Sequence, residues 1–264
     1  MSAEQYTYLQ SLNPHERDSH ISFDEPTHIY TIDGDSNYTS VTTFNHEHFE
    51  QFNADKIIDK MMTNKNWTNN KYYPKTKKEI LDLWEKNRVE ASRSGTKMHL
   101  DIEKYYNNVI VENDSIEYNY FMNFDNDFNK LLSPWRTEMM IWDKEYKLAG
   151  SVDMIYKNKD DDTYSIYDWK RSREIKKVSY NKWGNKPCIE HIPDSNYWHY
   201  SLQLNTYKFI LERNYDIKIR DMYLVCLHPD NKNMNYQRIR VADLLEEVTE
   251  LLALRKCDIS NKEK

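Results

Sequence analysis

The stretch from Leu148 to Lys170 constrains the fold more than any other part of the chain. It reads Leu-Ala-Gly-Ser-Val-Asp-Met-Ile-Tyr, then a polar tip over residues 157–163, then Tyr-Ser-Ile-Tyr-Asp-Trp-Lys. Two runs of alternating apolar residues around a short polar segment predict a β-hairpin. Because residues i and i+2 of a strand share a face, Asp168 and Lys170 should project together, and in-register pairing would bring Asp153 beside them.

This grouping of charges predicts a metal site. Neighbouring carboxylates repel each other unless a proton or a cation lies between them. Their oxygen atoms are the ligands that Mg²⁺ or Mn²⁺ prefers. Lys170 would then neutralise a developing charge or hold a water molecule. The alternatives are a buried Asp153 paired with an arginine, and an ordinary surface ion pair between Asp168 and Lys170.

The motifs Gly-Ser-x-Asp at 150–153 and Asp-Trp-Lys at 168–170 resemble those of the PD-(D/E)XK nuclease superfamily. The likeness is strongest to the exonuclease branch, which includes phage lambda exonuclease, RecB-type nucleases and exonucleases of large DNA viruses. The motifs support it over roughly residues 80–230. The resemblance implies an α/β fold of the restriction-endonuclease type, in which helices flank a mixed central sheet.

The resemblance also implies roles for individual residues. The expected metal ligands are Asp153, Asp168, the Trp169 carbonyl, His99 and Glu138. The expected catalytic residues are Asp153, Asp168, Lys170 and Glu138. A lone histidine on a helix is more often structural, but the preceding Ser-Gly-Thr favours a ligand role for His99. Glu103, one turn further on, is a supporting candidate, and Glu138 has the alternative of a solvated edge residue.

A second motif points to nucleic acid. Gln203 and Tyr207 share a helix face, and Gln-Leu-Asn-Thr-Tyr resembles the Gln-x-x-x-Tyr motif whose residues contact the DNA backbone and support the active site in the RecB-type branch. The expected nucleic-acid contacts are Gln203, Tyr207, Arg88, Arg93, Ser40, Thr42 and Arg171. Arginines can clamp phosphates and hydroxyls can donate to them, although solvated faces and ordinary strand residues are the alternatives. Aromatic residues within 178–200 could stack on unpaired bases or lie in the core.

Composition sets broader bounds. The net charge of −6 disfavours a nucleic-acid partner, but binding depends on local positive faces, and basic residues cluster at 75–78 and 170–177. The cysteines are Cys188, Cys226 and Cys257. Three distant cysteines favour a reducing compartment and argue against a disulfide framework and an iron–sulfur cluster. With neither a signal pattern nor a membrane-length apolar run, we expect an intracellular protein, in the host cytoplasm or nucleus if it is viral.

The pattern along the chain predicts one nuclease domain over residues 27–264, after a polar leader over 1–26. The domain would comprise an elaboration at 27–79, a core at about 80–230 and a C-terminal strand and helix at 235–257. A hairpin is expected around Asp33-Gly-Asp, with strands at 28–32 and 38–44. The expected helices cover 46–62, 79–106 with a break near residues 92–95, 116–132, 199–213 and 243–254. Further strands are expected at 137–142, 220–227 and 236–241.

Together these features predict a Mg²⁺-dependent (or Mn²⁺-dependent) nuclease that hydrolyses DNA, as an exonuclease in viral DNA recombination, replication or repair. Two alternatives remain open: an RNA endonuclease of the same fold that acts in transcript turnover, and a non-catalytic nucleic-acid-binding or scaffold protein on a nuclease fold. The expected partners are a DNA duplex end or single strand and, beyond DNA, a recombinase, a single-strand-binding protein or a helicase. No membrane partner is expected.

Overall fold

Alternating apolar residues build the central sheet. The computed structural model describes residues 6–262, whose strands are β1 Ile21–Asp24, β2 Ile29–Ile32, β3 Thr39–Ser40, β4 Leu132–Asp143, β5 Leu148–Asn158, β6 Tyr164–Lys170, β7 Ile219–Cys226 and β8 Gln237–Arg240. Strands β5 and β6 form the predicted antiparallel hairpin, with Met154 opposite Tyr167. Strand β4 pairs antiparallel with β5, β6 pairs parallel with β7, and β7 pairs antiparallel with β8. The sheet is therefore mixed.

Helices cover both faces of this sheet. They are α1 Tyr8–Leu12, α2 Val41–His46, α3 Ala54–Met62, α4 Lys77–Tyr106, α5 Ile116–Phe128, α6 Asn196–Asn214 and α7 Leu245–Lys262, and 3-10 turns lie at Glu16–His20, Trp67–Asn69 and Pro187–Ile189. One apolar cluster joins the sheet to α2, α6 and α7, and a second joins it to α1, α4 and α5. This arrangement confirms the predicted α/β class. No helix in residues 6–262 is long and apolar enough to cross a bilayer.

Helix α4 runs unbroken for 30 residues, so the break predicted near residues 92–95 is wrong. Thr76 caps the helix: its side chain accepts from the Glu79 N–H, and the Glu79 carboxylate accepts from the Thr76 N–H. A glycine inside a helix costs only about 1 kcal/mol relative to alanine. Gly95 therefore does not end a helix that is capped and packed at its two ends. Residues 85–93, between those ends, are exposed on every face.

The N-terminal hairpin was predicted with the wrong partner. Strand β2 pairs with β1, Ile32 opposite Ile21, and not with residues 38–44. Those residues split instead into the short strand β3 and helix α2, because the Ser40 side chain accepts from the Thr43 N–H and caps the helix. The helix predicted over 46–62 is confined to α3.

The polar leader predicted over residues 1–26 contains α1, a 3-10 turn and β1, and its residues 1–5 lie outside the described residues. Asp18 accepts from the Arg136 guanidinium at 2.9 Å, and the Arg136 side chain is only 4% exposed. The Arg17 guanidinium lies 3.5 Å from the centroid of the Trp142 ring. Polar and cation–π contacts hold this segment on β4, so its hydropathy does not reveal the packing.

The remaining elements lie where they were predicted but differ at their ends, and β4 begins at Leu132 rather than at residue 137. Helix α5 ends at Phe128 rather than at residue 132, and α6 begins at Asn196 rather than at residue 199. Strands β7 and β8 lie where they were predicted. Helix α7 extends beyond residue 254, to Lys262.

Gly150 allows α6 to pack closely on β5. A Cβ atom at this position would lie 2.8 Å from Tyr207 Cε1 and 3.3 Å from its hydroxyl. Tyr207 is 3% exposed and belongs to the cluster between the sheet and α6. The glycine in the Gly-Ser-x-Asp motif is therefore required by packing against a tyrosine ring.

We predict that Gly150→Ala destabilises the protein by about 1–3 kcal/mol, because an added methyl group overpacks the contact with Tyr207. Gly95→Ala is the matched control: it lies inside α4, where an added Cβ would meet no neighbouring atom within 4 Å, and we expect a gain of about 0.5–1 kcal/mol. Urea unfolding of both variants measures the difference. Equal stabilities would contradict the packing described here.

Candidate metal centre

The site forms where β5 loses strict alternation of its side chains. Alternation would place Leu148, Val152, Met154 and Tyr156 on one face of the sheet. Instead Leu148 and Val152 pack in the cluster with α6, whereas Met154 and Tyr156 pack in the cluster with α5. The strand therefore switches faces at Asp153, the residue between them.

Glu138 lies at the matching place on β4. It follows Thr137, which pairs with Met154. Its φ is 42°, a conformation that costs a non-glycine residue about 1–3 kcal/mol and persists only where the surroundings hold it. Ser151 Oγ donates to Glu138 Oε2 at 2.9 Å. Both strands are thus distorted at the point where their carboxylates meet.

The outer edge of β5 is divided between two neighbouring strands. Leu148 and Ala149 pair with β3, and residues 154–157 pair with β6. Asp153 lies in the interval, where its Oδ2 accepts from the Trp169 N–H at 2.9 Å. The carboxylate accepts the hydrogen bond that a strand carbonyl would otherwise accept, and it links β5 to β6 between the two paired segments.

Helix α4 brings His99 to these acids with a defined tautomer. His99 Nε2 lies 2.9 Å from the Trp169 carbonyl oxygen, which can only accept, so Nε2 carries a proton. Nδ1 faces Glu138 Oε1 and Asp153 Oδ2, at 3.5 Å from each. A carbonyl that orients the second ring nitrogen is typical of metal-binding histidines. The Trp169 carbonyl, predicted as a ligand, accepts this hydrogen bond and so orients His99.

The charged groups of this cluster shift one another's pKa values, and burial makes two of its carboxyl groups retain protons. It raises the pKa of Asp153 to about 7, with Asp168 and Glu138 adding to the effect and His99 opposing it. Burial lowers the pKa of His99, but Asp153 and Glu138 outweigh it and bring the value to about 9. Burial and Glu138 also raise the pKa of Glu103 to about 7. The positive charge of the imidazolium lies where a cation would otherwise balance these carboxylates.

Asp168 and Lys170 form the second part of the site. They project together, as predicted, and Lys170 Nζ lies 2.6 Å from Asp168 Oδ2. Neither Asp168 oxygen makes a well-aligned hydrogen bond within residues 6–262, although the side chain is 2% exposed. The Tyr200 ring lies 4.5 Å from Lys170 Nζ. Burial lowers the pKa of Lys170, but Asp168 and Asp153 outweigh it and hold the pKa above its ordinary value.

The residues present fit a divalent cation. One ligand atom each from His99, Glu138 and Asp153 lies within 4.8 Å of the others. An imidazole nitrogen with two carboxylates suits a first-row or alkaline-earth divalent ion. Asp168 lies outside this group of three but keeps two buried oxygens without aligned donors, so it is available as a further ligand.

Gln203 and Tyr207 support the site from α6. Gln203 Nε2 donates to the Tyr207 hydroxyl at 3.1 Å. Tyr207, expected at the nucleic-acid interface, is buried against Gly150, so its role in the described structure is to position β5. Burial is the largest cause that raises the pKa of Tyr207, and the nearby Tyr30 and Asp153 raise it further.

Most of the other predicted nucleic-acid contacts have partners in the protein. Arg88 is exposed and binds Glu85 through both Nε and a terminal nitrogen, at 2.8 and 2.7 Å. Arg171 pairs with Glu117 of α5 at 2.7 Å. Ser40 caps α2. Arg93 and Thr42 are exposed. The structure does not bring these five residues into the metal centre.

Sequence reasoning missed three residues that lie at or near the site. Ser151 shares the motif with Asp153, so its hydrogen bond to Glu138 could have been anticipated. Tyr200 lies three residues before Gln203, a helical spacing that extends the same motif toward Lys170. Tyr30 carries no sequence signal, because its proximity follows from the pairing of β2 with β1; burial, then Glu138 and Asp153, raises its pKa.

Comparisons with solved structures yield distant likenesses. No protein-family model matches the chain, and no curated protein matches its sequence. The solved structure of the protein SSO0001 is 16% identical, with a TM-score of 0.37, over 85% of this chain and 77% of that one. A candidate exonuclease from Eubacterium rectale is 14% identical, with a TM-score of 0.35, over 85% and 79%. The function proposed below therefore rests on the geometry of the site.

We predict that Mn²⁺ or Mg²⁺ raises the melting temperature by several degrees at pH 8.5 and by much less at pH 6. Binding requires the protons on Asp153 and His99 to leave, and their pKa values of about 7 and 9 make this harder as the pH falls. Differential scanning fluorimetry measures the shift, with Asp153→Asn as the control that should not respond. A shift that is equal at the two pH values would contradict the assignment.

Proposed function

We propose that the chain is a metal-dependent nuclease of the PD-(D/E)XK superfamily that hydrolyses DNA phosphodiester bonds. The observation that carries the proposal is the convergence of His99, Glu138 and Asp153, which offer ligand atoms within 4.8 Å of one another, close to the half-buried Lys170. A divalent cation held there would act as a Lewis acid toward a phosphoryl oxygen. The motifs 150–153 and 168–170 meet at this point, as the resemblance to nucleases implies.

The chain's own residues divide the work. His99, Glu138 and Asp153 hold the cation, and Asp168 is available to complete its ligands. The Trp169 carbonyl keeps a proton of His99 on Nε2, so Nδ1 is the nitrogen that becomes a ligand when the imidazolium loses its other proton. Lys170 remains charged beside Asp168, 2.6 Å away, and stabilises negative charge on the phosphate as it develops.

Glu138 has a further role in this proposal. The backbone conformation of Glu138, with φ at 42°, and the hydrogen bond from Ser151 to Oε2 leave Oε1 beside His99 Nδ1, where it could bind a cation. Such preorganisation avoids a reorganisation cost at the moment of reaction. A scaffold protein without catalysis would gain nothing from maintaining this strain.

The likeness of the motifs to the exonuclease branch favours an exonuclease that acts in DNA recombination, replication or repair. Recombinases, single-strand-binding proteins and helicases are the partners that this role would involve.

We predict that Lys170→Met lowers the rate of DNA cleavage by about 10²–10³-fold, because a charge that stabilises the transition state is lost. The Mn²⁺-dependent rise in melting temperature should remain. Lys157→Met, at the far end of the same hairpin on an exposed side chain paired with Asp162, is the matched control and should cleave normally. Gel assays with 5′-labelled single-stranded DNA, duplex DNA and RNA measure the rates.

Asp153→Asn should abolish cleavage of every substrate. Full activity of either Asp153→Asn or Lys170→Met would refute the site. Cleavage of RNA with both forms of DNA untouched would replace DNA by RNA as the substrate and would favour the endonuclease alternative. No cleavage of any substrate, with metal binding intact, would favour a non-catalytic role.

A further inference from the structure

The segment after Lys170 concentrates positive charge in an otherwise acidic chain. Residues 171–186, here called the basic loop, contain six basic residues and one acidic residue, whereas the whole chain has a net charge of −6. The side chains of Arg173 and Lys176 stay 79% and 61% exposed even beside their acidic neighbours. A local positive surface that begins one residue after the candidate catalytic lysine suits a polyanion that continues out of the site.

The basic loop is held at both ends. The carbonyls of Lys176 and Lys177 accept hydrogen bonds from the start of α6 at 2.7 and 2.8 Å. Further along, the Gly184 N–H donates to the Ile192 carbonyl at 2.9 Å. A Cβ atom at Gly184 would lie 2.5 Å from the Ile189 carbonyl oxygen, so a glycine is needed for this close approach. The residues between the two attachments form an anchored tip.

That tip presents apolar and aromatic side chains to solvent. Tyr180 is 90% exposed, Val178 77% and Trp183 51%. A tyrosine with nearly its whole side chain in solvent contributes little to the hydrophobic core, so core packing does not account for Tyr180. Aromatic rings beside exposed basic residues are the combination with which proteins bind single-stranded nucleic acid, because every unpaired base offers a face for stacking.

We propose that the basic loop is a platform for single-stranded DNA, on which unpaired bases stack on Tyr180 and Trp183 while phosphates lie near Arg173 and Lys176. The choice of DNA rests on the proposed function. Duplex DNA presents its phosphates but keeps its bases stacked inside, so it would use the charges of the loop and not the aromatic rings. The platform therefore makes a single strand, rather than an intact duplex, the form that leads into the metal centre.

The test is the affinity for a fluorescently labelled single-stranded oligonucleotide and for its duplex, measured by anisotropy with Ca²⁺ in place of Mg²⁺ and with oligonucleotide integrity checked on gels. Tyr180→Ala should weaken single-strand binding about tenfold and leave duplex binding nearly unchanged. Tyr180→Phe, which retains the ring, should bind as the wild type does. Tyr8→Ala, on a 47% exposed tyrosine of α1, is the control for loss of any surface tyrosine.

Unchanged single-strand affinity in Tyr180→Ala, or an equal loss for the duplex, would overturn the platform. Cleavage with Mg²⁺ is measured separately, so that the two proposals can fail independently. A protein that binds single strands through Tyr180 but cleaves nothing would keep the platform and refute the nuclease. If the protein cleaves DNA but Tyr180→Ala does not change single-strand binding, the nuclease is kept and the platform is refuted. Unaltered melting temperatures show that the variants are folded.

Discussion

Partial burial of neighbouring carboxylates is the constraint on which this structure depends. Burial raises the pKa of Asp153 and of Glu103, and the nearby Glu138 carboxylate raises both pKa values further. Positive charges on His99 and Lys170 balance them when no cation is bound. Such a cluster costs stability unless it serves a ligand, because each buried charge loses its hydration. The ligand atoms of His99, Glu138 and Asp153 lie around a common point, and this arrangement is the reason for expecting a metal ion there.

The surrounding strands and helices hold the ligand residues of this site in place. Strands β4 and β5 distort together, so that Glu138 and Asp153 leave the regular alternation of the sheet. The division of the edge of β5 between β3 and β6 leaves room for the Asp153 carboxylate to bond to the Trp169 N–H. Helix α6 then presses Tyr207 against Gly150 and fixes β5 from one face, while α4 carries His99 in from the other face.

The hairpin and the pairing of Asp168 with Lys170 could be predicted, because the period of two in a strand determines which side chains share a face. The reversal at Asp153 could not, since it depends on strain at Glu138 that is offset by tertiary contacts. The continuity of α4 was missed because the free-energy cost of one glycine in a helix is smaller than the stabilisation from the N-cap and from packing at the two ends of the helix. The pairing of β2 with β1 escaped prediction because residues 8–24 are mostly polar, and the contacts of Arg17 with Trp142 and of Arg136 with Asp18 leave no hydropathy signal.

The most direct test of this metal centre is a crystal of the protein grown with Mn²⁺ and measured by anomalous scattering. We expect one strong peak bonded to His99 Nδ1, Glu138 and Asp153, with His99 Nε2 still donating to the Trp169 carbonyl. A peak bonded to Nε2, or a crystal with Mn²⁺ elsewhere and His99 still ion-paired with the acids, would refute the proposed ligands.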